Sequence, residues 1–470
     1  MDLASLTGRL PPNTVSVHPA EIAKRSRDWW ALAMLRERRG DPSPRAEAVV
    51  FPRTTDQVAS ALAWAEETRT PVVPRGGGSG VVGGAVTASG GIVLDLSEMR
   101  RVISIDEESL AVTVEAGVLG GDLEDGLGER GLTLGHYPQS IMISTVGGWI
   151  AARSAGQASA GYGAIEDLIL GLTAVLPGGL VVSLRPAPRS AAGPDLRQLF
   201  AGSEGTLGVV TEAVLSVSRR PSGLRWLAVR PPGFAEGMTL ARRVTQGDLR
   251  PLVLRVYDEA DAALTFGALG DAGGCVLIAA MPEEGPGAEA RFAGLGAIAR
   301  EAGTEPLPEA YGTHWWEHRL DAVDLYRRVM GEERMLGEGV VVDTMEVAAL
   351  WSRMPELYGL VGAALAEHAE AVGCHLSHPY RSGASLYFTF LVRAEDDRAV
   401  EEPYLQSWSA AARACHRAGG TVTHHHGVGL LKTAFMKAEL GRGGLALLRT
   451  VKRAVDPRGV MNPGKLLPDA

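Results

Sequence analysis

Hydrophobic positions change their spacing several times along the chain, and each change predicts a different element. An apolar strand at Val49–Pro52 is followed by an amphipathic helix over Asp56–Glu67 and a second apolar strand at residues 71–74. A strand, a helix and a strand of this length form a βαβ unit. Between residues 91 and 117 apolar and polar positions alternate, which predicts short strands separated by turns.

A glycine-rich stretch, PVVPRGGGSGVVGGAV, follows the second strand of this unit at residues 71–86, and six of the ten residues after Arg75 are glycine. One interpretation is a mobile surface turn. The other is a structured loop whose bare N–H groups form a concave nest for an anion such as a phosphate. Because predicted strands lie on both sides, the sequence favours the structured anion-binding loop.

Small residues and hydroxyl groups dominate residues 135–179, where a bland core would use larger side chains. Ser140, Ser144, Thr145 and Ser154 alternate there with glycines. Such a composition suits a wall that is pressed against a large, flat, polar ligand. A further glycine-lined turn follows at residues 202–208.

The pattern predicts an α+β protein with four regions, because a chain of 470 residues is too long for one simple core. Residues 1–45 form an N-terminal helical segment, with a helix over Asp28–Arg39 and a linker at residues 42–45. Residues 46–222 form the domain that carries the glycine loop. Near residue 221 the sequence pattern changes from glycine-rich stretches to an ordinary alternation of strands and helices. This change predicts a separate cap over residues 223–405. Residues 406–470 are helices that return to the site.

Composition and charge exclude several classes of protein. The formal net charge of −9 argues against nucleic-acid binding, so that a phosphorylated ligand needs local arginines or backbone amides. Three widely spaced cysteines support neither a disulfide framework nor a metal cluster, and they favour the reducing cytoplasm. We expect no signal peptide and no transmembrane segment. Peripheral contact with a membrane stays open.

Several motifs together resemble a known family. The glycine loop, SEGTLGVVTE at residues 203–212 and DPRGVMNPGKLL at residues 456–467 resemble the FAD-binding fold of the vanillyl-alcohol-oxidase superfamily. STVGGW, SGASLYFTF and THHHGVGLLK are similar to strings of the alkylglycerone-phosphate synthases within that superfamily. The resemblance covers about residues 46–467. It implies a two-subdomain FAD-binding fold of the vanillyl-alcohol-oxidase type, with an α+β cap.

The resemblance also implies four stretches that contact the flavin. Their predicted cofactor-binding residues are Pro74, Arg75, Gly76, Gly77, Gly78, Ser79, Gly80, Gln139, Ser140, Ser144, Thr145, Ala152, Arg153, Ser154, Ala155, Glu204, Gly205, Thr206, Leu207, Gly208, Val209 and Val210. Arg75 and Gln139 stand where the family has an aliphatic and an acidic residue, but neither change removes a backbone contact. The glycine loop lacks the histidine to which some members attach their flavin, so we predict non-covalent FAD.

His424, His425 and His426 form the sharpest local signal in the second half of the chain. A chance cluster and a zinc site are the alternatives. Adjacent histidines cannot easily face one metal ion, and no partner motif accompanies them, so we predict no metal. The family match favours imidazoles that bind the substrate and carry protons beside the flavin.

Three further residues receive their roles from the resemblance. Tyr387 lies in an alternating strand with Leu386, Phe388 and Phe390 on the opposite face. The family's general acid/base is the tyrosine of this string, and its phenol needs a depressed pKa or a histidine partner. Arg255 matches an arginine important for activity. Arg328, with Arg327 as the alternative, is the predicted phosphate-binding residue.

The resemblance implies a redox-neutral reaction in which acyl-dihydroxyacetone phosphate forms an adduct with the flavin N5 and exchanges its fatty acid for a fatty alcohol. The alternative is an FAD-linked oxidase or dehydrogenase of a hydroxy acid or a specialised metabolite. A string that supplies a metal site in hydroxy-acid oxidases is missing here, which disfavours a lactate-type enzyme. The expected partners are a small-molecule or lipid substrate and a second copy of the chain.

Overall fold

The N-terminal 45 residues do not form a unit of their own. In the computed structural model, which describes residues 1–41, 44–270 and 273–468, this segment holds α1 (Leu3–Thr7), β1 (Val15–Ser16), α2 (Pro19–Arg25) and α3 (Ala31–Arg38). Strand β1 joins the first sheet, whereas α3 packs its buried face on the cap. The predicted helix over Asp28–Arg39 is therefore present but shorter. Pro42 and Ser43 of the predicted linker lie outside the described residues.

The predicted βαβ unit is confirmed, and its two strands lie on either side of a third. The unit consists of β2 (Ala48–Val50), α4 (Thr55–Thr68) and β3 (Val72–Arg75), followed by β4 (Ile92–Asp95). Both β2 and β3 pair with β4 in parallel, which gives the sheet order β1-β2-β4-β3. Helix α4 begins where the Thr54 side chain accepts a hydrogen bond from the Gln57 N–H.

A second sheet of five antiparallel strands packs against α4 and the core of the first sheet. Its strands are β5 (Val102–Asp106), β6 (Ala111–Glu115), β8 (Ile169–Val175), β9 (Val181–Leu184) and β10 (Val209–Ser216), in the order β5-β6-β10-β8-β9. The segments between them form α5 (Gly120–Gly128), β7 (Leu132–Thr133), α6 (Val146–Ala152), α7 (Ser159–Tyr162) and α8 (Ile165–Leu168), and β11 (Ser218–Arg219) pairs with β7. Trp149 and Ile150 of α6 are buried in the core of this sheet.

The cap is built on one antiparallel sheet of seven strands, in the order β15-β12-β14-β13-β17-β18-β16. Its elements are β12 (Leu224–Arg230), α9 (Phe234–Gln246), β13 (Val253–Tyr257), α10 (Glu259–Phe266), β14 (Val276–Pro282), α11 (Ala288–Glu301), β15 (Glu305–Leu307), α12 (Ala310–His318), α13 (Asp321–Met330), β16 (Val340–Leu350), α14 (Met354–Ala366), β17 (Ala371–Ser377) and β18 (Gly383–Arg393). In β18, Leu386, Phe388 and Phe390 are buried in the core, and Tyr387 and Thr389 line the opposite side, as their alternation predicts.

The chain end returns to the first sheet. Helix α15 (Glu401–Arg417) spans the predicted boundary at residue 405 and packs on α14 of the cap. Its buried Trp408 contacts Asp343 of β16 and Phe390 of β18. After α16 (Met436–Val455) the chain runs beside β3, where Val72 N donates to the Val460 carbonyl and Asn462 N donates to the Val72 carbonyl, both at 2.8 Å. None of the helices in the described ranges is long and apolar enough to cross a membrane. The three cysteines are buried, free thiols.

Candidate functional site: a cavity shared by the glycine loop and the cap

One cavity of about 1070 Å³ brings the predicted sites together. The glycine loop and the hydroxyl-rich stretch form one side of it, and the face of the cap sheet that carries Tyr387 forms the other. Its volume lies slightly above the range of about 300–1,000 Å³ that is usual for small-molecule and cofactor sites. The two halves of the chain therefore contribute to one site.

The glycine loop presents its backbone to this cavity and packs tightly against the second wall. A Cβ atom on Gly77 would lie 1.9 Å from the Ile143 carbonyl oxygen, which no side chain can tolerate. Gly78 has a φ of +69°, in the left-handed region that favours glycine. Two of the glycines are thus required by close approach and by backbone conformation. This agrees with a structured loop and not with a mobile turn.

Arg75 lies behind the loop and supports it. Its NH1 atom donates to the Arg27 carbonyl at 2.5 Å, and its Nε lies 3.8 Å from a carboxylate oxygen of Asp95. Burial lowers the pKa of the Arg75 guanidinium, while the nearby charges of Asp95 and Asp28 oppose that effect. Because its guanidinium is already bound to these protein groups, Arg75 is not the group that would bind an anion at the loop. The backbone N–H groups of the loop are the donors that remain for an anion.

The second wall is held by hydrogen bonds among its small polar residues. Ser144 Oγ accepts from Trp149 Nε1 at 2.7 Å, and Thr145 caps α6 by accepting from the Gly148 N–H. Ser154 Oγ lies 2.9 Å from Nε2 of His136, a fully buried imidazole whose pKa burial lowers to about 3. The histidine is therefore neutral, and its hydrogen bond fixes the serine hydroxyl at the cavity wall.

All the predicted cofactor-binding residues line the cavity except Arg153, Thr206 and Leu207. Arg153 ends α6 with a φ of +55° and turns its side chain to Glu166 at 3.0 Å. Thr206 hydrogen-bonds the Ser203 carbonyl through its hydroxyl, and Leu207 is buried. The side chains of these three residues therefore do not face the cavity.

Glu204 joins the SEGT turn to the histidine segment. Its carboxylate accepts hydrogen bonds from the backbone N–H groups of Val428 and Gly429, the latter at 2.8 Å. Burial raises the pKa of the Glu204 carboxyl, and these two N–H donors oppose that effect. Its own carbonyl accepts from Asn462 Nδ2 at 2.6 Å. The carboxylate thus fixes the segment after the three histidines to the glycine-loop domain.

These features fit a bound FAD on grounds of shape and donor chemistry. The loop offers backbone N–H groups at positions where no side chain intervenes, as a pyrophosphate requires. The opposite wall offers small residues and fixed hydroxyls, which suit the flat isoalloxazine and the ribityl chain. The catalytic candidates of the cap face the same space.

Tyr387 is surrounded by imidazoles. Its hydroxyl donates to Thr344 Oγ1 at 3.0 Å, and the His375 ring stacks on it with 4.9 Å between centroids. The rings of His425 and His426 lie at 6.0 and 5.6 Å. Burial raises the pKa of the phenol, so the depressed pKa considered from the sequence is absent. The histidine neighbours are present, and the phenol is protonated at neutral pH.

The three consecutive histidines have different surroundings. His425 and His426 line the cavity, whereas Nε2 of His424 lies 2.8 Å from the Tyr380 hydroxyl. Burial lowers the pKa of His424 to about 4 and that of His425 well below its usual value. Nitrogen atoms of His424, His425 and His378 lie within 4.8 Å of one another. The absence of a metal stays a prediction.

Arg255 lies at the end of a chain of three polar side chains. Its NH1 atom donates to His375 Nε2 at 3.1 Å, and Nδ1 of that histidine lies 2.6 Å from Asp261. The guanidinium lies 4.8 Å from the centre of the Trp315 ring. The sequence identified Arg255 but not His375 or Asp261, because these contacts join residues more than 100 positions apart.

Arg328 does not reach the cavity. Its exposed side chain pairs with Glu333 at 2.9 Å, and that of Arg327 pairs with Asp324 at 3.1 Å. Helix α13 turns its other face inward: Ala322, Leu325, Tyr326 and Val329 line the cavity, together with Asp321 and Val323 of its first turn. This 3–4-residue spacing was readable in the sequence and excludes both arginines from the inner face.

Arg319, which precedes α13, lines the cavity instead. Its guanidinium lies 3.8 Å from the centre of the Trp316 ring, and burial lowers its pKa. Among the described residues, no carboxylate lies within ion-pair distance of Arg319 or Arg255. Two guanidinium groups without an acidic partner therefore face one cavity, and these are suitable donors for an anionic substrate.

Comparisons with known proteins agree with this geometry. Residues 46–185 match the family model of the FAD binding domain, and residues 220–466 match that of the C-terminal domain of FAD linked oxidases. The chain is 33% identical to an alkyldihydroxyacetonephosphate synthase of Trypanosoma brucei brucei, over 95% of this chain and 76% of that protein. It is also 33% identical to an uncharacterized FAD-linked oxidoreductase of Escherichia coli (strain K12), over 90% of each chain.

Solved structures support the same fold. One structure of an alkyldihydroxyacetonephosphate synthase superposes with a TM-score of 0.80 at 23% identity, over 98% of this chain and 84% of that one. The predicted two-subdomain FAD-binding fold with an α+β cap is thereby confirmed, and FAD is the cofactor. The chain belongs to the family of FAD-linked oxidases that includes the alkyldihydroxyacetonephosphate synthases.

Proposed function

We propose that this chain is an FAD-dependent enzyme of the alkylglycerone-phosphate synthase type. It exchanges the acyl group of acyl-dihydroxyacetone phosphate for a fatty alcohol. The observation that carries the proposal is one cavity that holds the flavin wall, Tyr387 with its histidines, and two guanidinium groups with no carboxylate partner among the described residues.

The exchange is balanced without an external electron acceptor. The bond between C1 of the dihydroxyacetone unit and the ester oxygen breaks, and the fatty acid leaves. A bond from C1 to the alcohol oxygen replaces it, and the proton of the alcohol ends on the released acid or on a protein group. FAD supplies the covalent chemistry at C1 that permits this replacement.

Side chains of the protein carry out proton transfer and phosphate binding in this proposal. The phenol of Tyr387, protonated because burial raises its pKa, and the neighbouring His425 and His426 hold and move the proton at C1. Arg255 and Arg319 bind the phosphate. The role that the sequence assigned to Arg328 therefore passes to Arg319 in this proposal.

The apolar part of the cavity suits the acyl chain. Leu264, Leu325, Met335 and Leu336 line the cavity and are nevertheless exposed, so they lie where it opens. Large exposed apolar side chains around an opening also support peripheral contact with a lipid surface. We retain that contact, a cytoplasmic location and a homodimer as proposals. Co-sedimentation with phospholipid vesicles and light scattering test the first and the last.

We propose non-covalent binding of the FAD. The glycine loop contains no histidine, cysteine or tyrosine that could carry the flavin. Acid precipitation of the yellow protein should therefore release all of its flavin into the supernatant. Flavin that stays with the precipitate would contradict the proposal.

Exchange of the two arginines tests the phosphate site. Arg319→Met should reduce kcat/KM for the phosphorylated substrate about ten- to one-hundred-fold, mainly through KM, because a charged hydrogen bond is lost. Arg328→Met is the matched control and should stay within about twofold of the wild type, because that side chain is exposed and pairs with Glu333. A larger loss of kcat/KM in Arg328→Met than in Arg319→Met would show that Arg328 binds the phosphate.

The E. coli relative supports one alternative, an FAD-linked oxidoreductase. We propose a hydroxylated acid or a specialised metabolite as the substrate in that case. Anaerobic mixing of the holoenzyme with each substrate separates the two functions. The proposed synthase function predicts a change in the flavin spectrum with acyl-dihydroxyacetone phosphate and no turnover with an electron acceptor. Full bleaching by a hydroxy acid, with turnover by an acceptor and no response to the phosphate ester, would establish the oxidoreductase instead.

A further inference from the structure

Glu346 lies beside Tyr387 and His426, behind the wall of the cavity, and has no part in the mechanism above. It is fully buried on β16, directly across the strand pair from Tyr387 on β18. Cross-strand neighbours project from the same face of a sheet, which places the carboxylate beside the phenol. Its strand is mainly apolar, and a buried carboxylate in such a strand needs compensating partners.

The partners of Glu346 come from the histidine segment. Oε1 accepts from Lys432 Nζ at 2.7 Å and from the backbone N–H of His426 at 3.0 Å and of His424 at 3.3 Å. Oε2 lies 2.9 Å from Nδ1 of His426, an ion-pair distance whose angle departs from that of a hydrogen bond. One carboxylate thus holds both the backbone and one imidazole of the segment.

Lys432 balances the charge of this carboxylate. The lysine is fully buried, and its ammonium lies 5.6 Å from the centre of the Trp408 ring. Burial alone would raise the pKa of Glu346, but the charges of His426 and Lys432 hold it well below its usual value. The carboxylate is therefore ionised. A buried ion pair of this kind contributes little net stability against an apolar pair, so stability alone does not account for it.

We propose that Glu346, paired with Lys432, is a positioning residue that holds the imidazole of His426 against Tyr387 and shares its negative charge between the lysine and that imidazole. The inference rests on the proposed function only where it assigns proton transfer to His426. The charge balance applies to any reaction at this site. The other ionisable groups near His426 in the described part of the chain include Asp343 on β16, Tyr387 on β18, and His424 and His425 of its own segment.

Three variants test the proposal, because it predicts that the two single changes move the titration of His426 in opposite directions. Glu346→Gln keeps an acceptor for the backbone N–H groups but removes the charge that faces the His426 imidazole, so the measured titration of His426 should move to lower pH. Lys432→Met leaves the carboxylate to His426 alone and should shift the titration upward. The double variant should lie between the two. A residue that only anchors the loop would shift the titration in neither single variant.

The readout is a pH titration of histidine-selective ¹⁵N NMR spectra of the FAD holoenzyme, with the His426 signal assigned by its loss in His426→Gln. It needs no substrate, so a failure of the proposed function leaves it intact. Where substrate turnover is available, Glu346→Gln should lower kcat at least tenfold with KM and FAD content unchanged. Shifts of the same sign in both single variants, or no shift in either, would overturn the proposal.

The thermal unfolding midpoints of the variants distinguish a misfolded protein from a folded protein in which the His426 imidazole has lost its position. Each single variant should unfold at a lower temperature than the double variant, because a single change leaves one buried charge unpaired. Should Glu346→Gln fail to fold, Lys432→Met and the double variant still carry the sign test. A double variant with full wild-type turnover would also overturn the proposal.

Discussion

Replacement of Tyr387 by Phe should leave a folded, yellow protein whose kcat falls about 10²- to 10⁴-fold, the usual contribution of a general acid/base. The ring still stacks on His375, so the fold and the flavin content should be unchanged. Only the hydroxyl that donates to Thr344 is lost. The measurement is steady-state turnover, together with the ratio of flavin to protein absorbance.

Thr344→Val is the matched control for this variant. It removes the hydroxyl that accepts from the phenol but leaves the phenol in place, so kcat should fall less than tenfold. Because burial raises the pKa of Tyr387, kcat should show no loss from ionisation of the phenol between pH 7 and about 10. A Tyr387→Phe enzyme with wild-type turnover would remove this residue from the mechanism.

Replacement of Gly77 by Val should abolish FAD binding. A Cβ at this position would lie 1.9 Å from the Ile143 carbonyl oxygen, so the loop must move away from the second wall. The backbone N–H groups that would hold the pyrophosphate move with it. We expect a colourless protein with a lower unfolding temperature, measured by flavin absorbance and by calorimetry.

Gly126→Ala provides the control for this glycine change. Gly126 lies inside α5, and a Cβ there meets no atom within 4 Å. The substitution should retain FAD fully and stabilise the protein by about 0.5–1 kcal/mol, because alanine favours the helix. Full FAD content in Gly77→Val would show that the loop does not hold the cofactor.

Local patterns were sufficient to predict much of the fold and one half of the site. Period-two alternation assigned Tyr387 to the cavity face of β18, and the glycine run after β3 identified the loop. Both signals depend on residues close together in sequence, where the geometry of a strand or a turn decides which side chains share a face. The helix near residue 30 was also found, but its packing on the cap was not, because that contact is between distant segments.

The residues that the sequence missed are those defined by long-range pairing. Glu346 meets Lys432 across 86 positions, and Asp261 meets His375 across 114. One signal was available, since β16 reads VVVDTMEVAAL and places Asp343 and Glu346 inside an apolar strand. Buried carboxylates there require partners and so point to a site. Helical spacing over α13 would likewise have excluded Arg328.

The identity of the oxygen that ends in the product tests the central claim most directly. Holoenzyme is incubated without an electron acceptor with acyl-dihydroxyacetone phosphate and a fatty alcohol labelled with ¹⁸O, and the products are analysed by mass spectrometry. The account predicts an alkyl ether that retains the ¹⁸O of the alcohol, one fatty acid released per ether formed, and no net reduction of the flavin. An absence of ether, with a hydroxy acid consumed and the flavin bleached in parallel samples, would contradict it.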